Sequence, residues 1–239
     1  MASACLGLLA SGFARAYEAI EVKDGGSLHG AVRFAGKPPA PARLEVTRDQ
    51  TVCGESVEDV SLVVGKERGV ANVVVHLEGV ESGKAVDLAH AGRLDNVKCQ
   101  FAPHVQSLST GQTLLIRNLD PVLHNTHSYV LDGEGNLFNL ALPRQGQEIR
   151  KLLKKPGVHQ VRCDAGHTWM NGYFLVFDDP YYAVTDTSGE FSLAEVPPGT
   201  YTLRAWHEKL GTADLQVRVA PGKDSPVPEI VLKEPPPGK

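Results

Sequence analysis

Three side chains in one short stretch define the chemistry this sequence can support. In Gly157-Val-His-Gln-Val-Arg-Cys-Asp-Ala-Gly-His-Thr-Trp-Met170, the residues Cys163, His167 and Met170 offer a thiol, an imidazole and a thioether within eight positions. Soft donors of this kind select copper over magnesium, calcium or manganese. Zinc accepts cysteine and histidine, but methionine is a poor zinc ligand. One more imidazole would complete a set of two histidines, one thiolate and one thioether. His124, in Arg117-Asn-Leu-Asp-Pro-Val-Leu-His-Asn-Thr-His127, is the candidate. Cys163 alone would read as a buried inert thiol; the ordered set of four is what points to a metal.

Such donors need rigid supports, and the pattern supplies strands. Glycine (24) and proline (16) are frequent and no long helical periodicity occurs, so short strands joined by turns, an all-β chain, are expected. Val158 to Arg162 is a strand that delivers Cys163, with Pro156-Gly157 as the turn before it. Thr113 to Asn118 is a strand stopped by Asp120-Pro121, just ahead of His124. Further strands are expected within residues 25–36, over Val70 to Leu77 with His76 facing solvent, and over Glu148 to Leu153, Tyr173 to Phe177 and Leu215 to Val219. Residues 44–65 hold two weak strands, residues 80–95 give little, and Tyr129 to Leu142 reads as loop.

The 239 residues suffice for one large or two small domains, and 42% hydrophobic residues can build a core. A net charge of -4 argues against nucleic-acid binding. Leu6 to Phe13 followed by Ala14-Arg15-Ala16 reads as part of an export signal, and no later stretch approaches a membrane span. Of the four cysteines, Cys5 would leave with that segment and Cys163 would bind metal. Cys53 and Cys99 then remain, either as a disulfide formed in an oxidising compartment or as two buried thiols. No Ser-His-Asp set, phosphate-binding glycine loop or catalytic carboxylate pair stands out, so a non-enzymatic role is expected.

From Asn96 to Asp178 the chain resembles the cupredoxin family, which includes plastocyanin and azurin. The marks are Phe101-x-Pro103, Gly111 before a strand, Asn118-x-Asp120 leading to His124-Asn125, Pro156-Gly157, and the Cys163, His167, Met170 loop. The resemblance implies a Greek-key β-sandwich in which His124, Cys163, His167 and Met170 hold one copper ion cycling between Cu(I) and Cu(II). It also implies that Asn125 ties the histidine strand to the cysteine loop, and that Trp169 shields the metal or marks a docking face. The loop spacing, three residues then two, departs from plastocyanin-like and azurin-like loops. It matches the second half of the binuclear CuA loop of cytochrome oxidases, where His159 stands in place of the further cysteine, so one copper is expected. Met170 is left as either a long axial or a close ligand.

The flanks resemble the carboxypeptidase regulatory-like, or transthyretin-like, β-sandwich. Ala183-x-Thr-Asp186-x-x-Gly189-x-Phe191 and Pro197-Pro-Gly-Thr-Tyr201-x-Leu carry it, with Gly30-Ala-Val32 and Asn72-Val-Val-Val75 as its opening strands. The expected organisation is a signal-like segment (1–16), a first part of this sandwich (24–90), the cupredoxin (96–178), the second part (179–232) and a disordered tail (233–239). The expected function is single-electron transfer by a periplasmic or secreted copper protein with a redox partner such as a cytochrome or oxidoreductase. A copper carrier and a recognition module with a vestigial site are the alternatives. His104, His127 and His207 are expected to be structural or surface histidines.

Overall fold

The computed structural model describes residues 16–235. These residues are almost entirely strands and turns; the helical pieces among them are the short helix Gln50–Cys53 and a 3-10 turn at Lys66–Arg68. Four larger sheets are separated by three apolar cores. The first sheet runs Glu148–Leu152, Thr113–Asn118, Gly92–Val97, Gln100–Ala102, and the second Asn139–Leu142, His124–Val130, Gly157–Arg162, Asn171–Phe177, Val105–Ser109. Leu94, Leu114 and Ile116 from the first meet Leu142, Val161, Phe174 and Val176 from the second. The third sheet runs Tyr182–Val184, Val74–Glu78, Gly199–His207, Gly211–Val219. The fourth runs Glu190–Val196, Gly26–Phe34, Asp224–Pro226, with Ile230–Leu232 also on Gly26–Phe34. Leu28, Val32, Phe191 and Leu193 pack there against Val75, Leu77, Leu203 and Val217.

Period-two alternation explains which face goes where. In Asn171–Phe177, Phe174 and Val176 enter the core between the first two sheets. Tyr173 and Leu175 point the other way and meet Val74 and Val105, with Trp206 packed alongside. The run Tyr-Phe-Leu-Val-Phe is therefore buried on both faces, as an uninterrupted apolar strand should be. His104, buried between Glu208 and the backbone oxygen of Asn171, adds a polar pin across the same junction.

Several expectations change. The strand expected from Val70 starts at Val74, and its His76 does not face solvent: its ring packs tilted against Phe177, 4.5 Å between centroids, and its Nδ1 is buried without a partner. The span 129–142 contains regular structure, because His124–Val130 continues past Tyr129 and Asn139–Leu142 pairs with its start. Gly92–Val97, at the polar end of residues 80–95, is a strand lying parallel to Thr113–Asn118. Its alternation is carried by Leu94 and Asn96, and a buried asparagine conceals it from a hydrophobic reading. Residues 44–65 do hold two short strands, Arg43–Glu45 and Ser56–Glu58, paired with each other around the helix Gln50–Cys53. The signal-like segment lies outside the described residues apart from Ala16, as does the tail beyond Pro235. Lys233 to Pro235 have no regular structure. Among the described residues, no helix is long and apolar enough to cross a membrane.

Candidate metal centre

His124 opens the strand His124–Val130, and the turn before it is fixed by Asn118. The Asn118 amide donates to the backbone oxygens of Val122 and Leu142, each at 2.8 Å, while its Oδ1 accepts from the Asp120 N–H at 3.0 Å. Cys163 follows Gly157–Arg162, which pairs with that same strand, so one sheet sets the separation of the two donors. The loop after Cys163 turns at Gly166, where φ is +95°, and returns with the Met170 N–H bonded to the His167 oxygen at 2.9 Å.

These supports bring His124, Cys163 and His167 together, with one donor atom from each lying within 4.8 Å of the others. The two Nδ1 atoms are 3.1 Å apart, and Cys163 Sγ lies 3.5 Å from His167 Nδ1 and 4.0 Å from His124 Nδ1. Both imidazoles are fully buried. Met170 is buried beside them, and with Cys163 it lines a cavity of about 520 Å³ that opens beside the loop. His104 and His127 stay outside the cluster. His127 bonds Asp164 at 2.6 Å and packs tilted against Tyr129, and His207 is buried with its Nδ1 accepting the Lys209 and Leu210 N–H groups. Another set of three donors, Cys99, Asp120 and His124, shares His124, but Cys99 is already in a disulfide.

The outer contacts fix how each imidazole presents itself. His124 Nε2 donates to Asp120 Oδ2 at 2.9 Å, and His167 Nε2 donates to Asp49 Oδ2 at 2.9 Å. A carboxylate oxygen only accepts, so each Nε2 carries a proton and Nδ1 is the ring atom turned inward, toward the sulfur. Burial holds His124 in the neutral form by lowering its pKa. Two inward Nδ1 atoms 3.1 Å apart beside a sulfur offer a cation three converging donors. Burial pushes the Cys163 thiol up, while the backbone N–H groups of Asn125, Ala165 and His167 pull it down. The Asn125 N–H reaches Sγ at 3.3 Å, and the Asn125 side chain accepts from the Asp164 N–H at 3.2 Å, tying histidine strand to cysteine loop. The donors present therefore fit a soft, thiophilic metal, and the charge of a bound ion would hold the thiol deprotonated.

One feature closes an alternative left open by the sequence and another lies beyond it. Cys53 and Cys99 form a disulfide, the first of the two readings left open by the sequence. Asp49 gave no signal at all, because its partner His167 is 118 positions away. Trp169 is buried, not displayed. Its indole N–H donates to the Cys99 oxygen at 3.0 Å and its ring packs on His167, so it shields the site.

Residues 176–233 match the family model of the carboxypeptidase regulatory-like domain. No curated protein matches the chain by sequence. Among solved structures, the chain is similar to a purple cupredoxin from Nitrosopumilus maritimus, with 24% identity over 36% of this chain and 98% of that one, at a TM-score of 0.31. It is similar to amicyanin from Paracoccus versutus, with 19% identity over 37% of this chain and 82% of that one, at a TM-score of 0.32. It is also similar to a copper-containing nitrite reductase from Thermus scotoductus, with 24% identity over 38% of this chain, at a TM-score of 0.31; it spans 23% of that protein.

Proposed function

We propose that His124, Cys163, His167 and Met170 hold one copper ion and that the protein carries single electrons between partners in an oxidising compartment outside the cytoplasm. The observation that carries this reading is the pair of buried Nδ1 atoms 3.1 Å apart beside a cysteine sulfur, each turned inward by a carboxylate on its far nitrogen. Bound copper supplies a one-electron couple that a set of two histidines, a thiolate and a thioether serves in both oxidation states. The chain's own part is to fix the donors. The sheet that positions His124 and Cys163, the outer carboxylates and the buried loop resist rearrangement when charge changes. The full burial of both imidazoles favours an electron carrier over a copper carrier, which must expose its ligands to pass the metal on. The Cys53–Cys99 disulfide supports the oxidising setting.

We further propose that residues 24–90 and 179–232 form one carboxypeptidase regulatory-like sandwich into which residues 96–178 are inserted. Gly26–Phe34 pairs with Glu190–Val196, and Val74–Glu78 pairs with Tyr182–Val184 and Gly199–His207. Limited proteolysis tests this: release of a stable C-terminal piece without its N-terminal strands would overturn it.

The site is tested by visible and EPR spectra of the purified protein with stoichiometric Cu(II), alongside metal analysis. An intense thiolate-to-copper band with a mononuclear EPR signal is expected. A protein that stays colourless and EPR-silent after mild oxidation refutes the assignment.

A further inference from the structure

Asp49 lies far outside the loop that supplies three of the four donors, and its local geometry is unusual for its position. It directly precedes the helix Gln50–Cys53, where an aspartate ordinarily turns its carboxylate back to cap the first N–H groups. It makes no such cap. Its backbone is left-handed, at φ 52°, and its carboxylate is sent instead to His167 Nε2 at 2.9 Å. Aspartate is one of the few residues that tolerate this conformation. The surroundings of Asp49 hold it there. Its own carbonyl accepts from the Val52 and Cys53 N–H groups, and the helix ends on Cys53, which is bonded to Cys99. Cys99 in turn donates its N–H to Asp120 Oδ2, the same oxygen that receives His124 Nε2. The disulfide thus joins the supports of both carboxylates. Arg48, next to Asp49, lies against Gly166, where a Cβ would come within 2.9 Å of its guanidinium. Val46, Cys53 and Val57 are buried in the core that contains Cys163 and Met170.

We infer that Asp49 is a positioning residue for the metal ligand His167, delivered by a disulfide-clamped segment from outside the cupredoxin-like span. This rests on the proposed copper site. Asp49 sets the tautomer and orientation of His167, covers its outer edge, and adds negative charge beside the site, partly offset by Arg48, whose Nε lies 3.5 Å from the same oxygen; the charge favours the more oxidised ion.

The test compares Asp49→Asn and Asp49→Ala with the parent protein. In metal-free protein, the imidazole 15N–1H spectrum should show His167 as a protected Nε2–H tautomer. That state is retained in Asp49→Asn, whose amide oxygen still accepts, and lost in Asp49→Ala. This readout needs no copper, so it separates failure of this inference from failure of the copper assignment. In copper-loaded protein, Asp49→Ala should bind copper about 10- to 100-fold more weakly. Asp49→Asn should keep the parent's optical band while its reduction potential rises. An alanine variant with the parent's His167 tautomer overturns the inference. So does an alanine variant with unchanged copper affinity, or an asparagine variant with unchanged potential.

Discussion

Removing the Asp120 carboxylate by Asp120→Ala should destabilise the metal-free protein by about 2–6 kcal/mol. Asp120 is buried and accepts three hydrogen bonds, from His124 Nε2 at 2.9 Å and from the Lys98 and Cys99 N–H groups at 2.8 Å each. Two of those donors, on His124 and Cys99, are buried and would lose their acceptor, whereas the Lys98 N–H lies nearer to solvent. An unsatisfied buried donor costs about 1–3 kcal/mol, so two cost about 2–6 kcal/mol. Against a total stability of roughly 5–15 kcal/mol, that is a large fraction. Urea unfolding of both proteins at neutral pH measures it, as a shift in midpoint at unchanged slope. A loss below about 1 kcal/mol at unchanged slope would show that Asp120 does not anchor His124 and the Cys99 turn, and the outer-carboxylate argument would fail at its better-buried member.

Cys163→Ser should abolish strong charge-transfer colour in the copper-loaded protein and leave far-ultraviolet circular dichroism unchanged, because the flanking strands pair without the thiol; retained colour contradicts the ligand assignment. Replacing Cys53 and Cys99 together by alanine should cost about 4 kcal/mol in the chain-entropy account, given the separation of 46 residues, read by thermal or urea unfolding. His207 is buried, its Nδ1 accepts the N–H groups of Lys209 and Leu210, and burial first, then His104 and Lys209, lower its pKa to about 4. The unfolded chain therefore binds the proton first on acidification. Stability should fall as pH drops from 6.5 towards 4, by at most about 1.4 kcal/mol per pH unit from this residue, and His207→Gln should flatten that slope in pH-dependent unfolding.

What the sequence made legible was whatever is local. The Cys163 to Met170 spacing lies on one loop, and Asn118-x-Asp120 ahead of His124 marks a turn whose side chains bond within a few positions. Strand Asn171–Phe177 declared itself by an unbroken apolar run. What stayed hidden is set by pairings between distant segments. Asp49 and His167 share no spacing, and the short helix that follows Asp49 is held by a disulfide partner 46 positions on. His76 was misread because its neighbours along the strand say nothing of Phe177, which covers it from another sheet. Gly92–Val97 was missed because a buried asparagine replaced an apolar residue: Asn96 donates to the Arg117 oxygen and to Thr126, satisfying its amide inside the core.

The pairing of Gly26–Phe34 with Glu190–Val196 has a consequence for how the molecule comes into being. Gly26–Phe34 waits for partners that lie more than 150 positions later in the chain, and until they arrive its edges are bare templates for wrong pairing. Closing so long a loop directly is slow. The intervening segment shortens the task, because its two sheets contain the strands Gly92–Val97 and Asn171–Phe177 near its ends and complete their pairings without the flanks. Once that segment has folded, Val74–Glu78 and Tyr182–Val184 stand as neighbours, and the outer sandwich can shut like a clasp. Assembly from the middle outward is thus the shorter route: His124, Cys163, His167 and Met170 all lie in the segment whose strands pair without the flanks, and Asp49 reaches His167 only when the segment that carries it docks on that core.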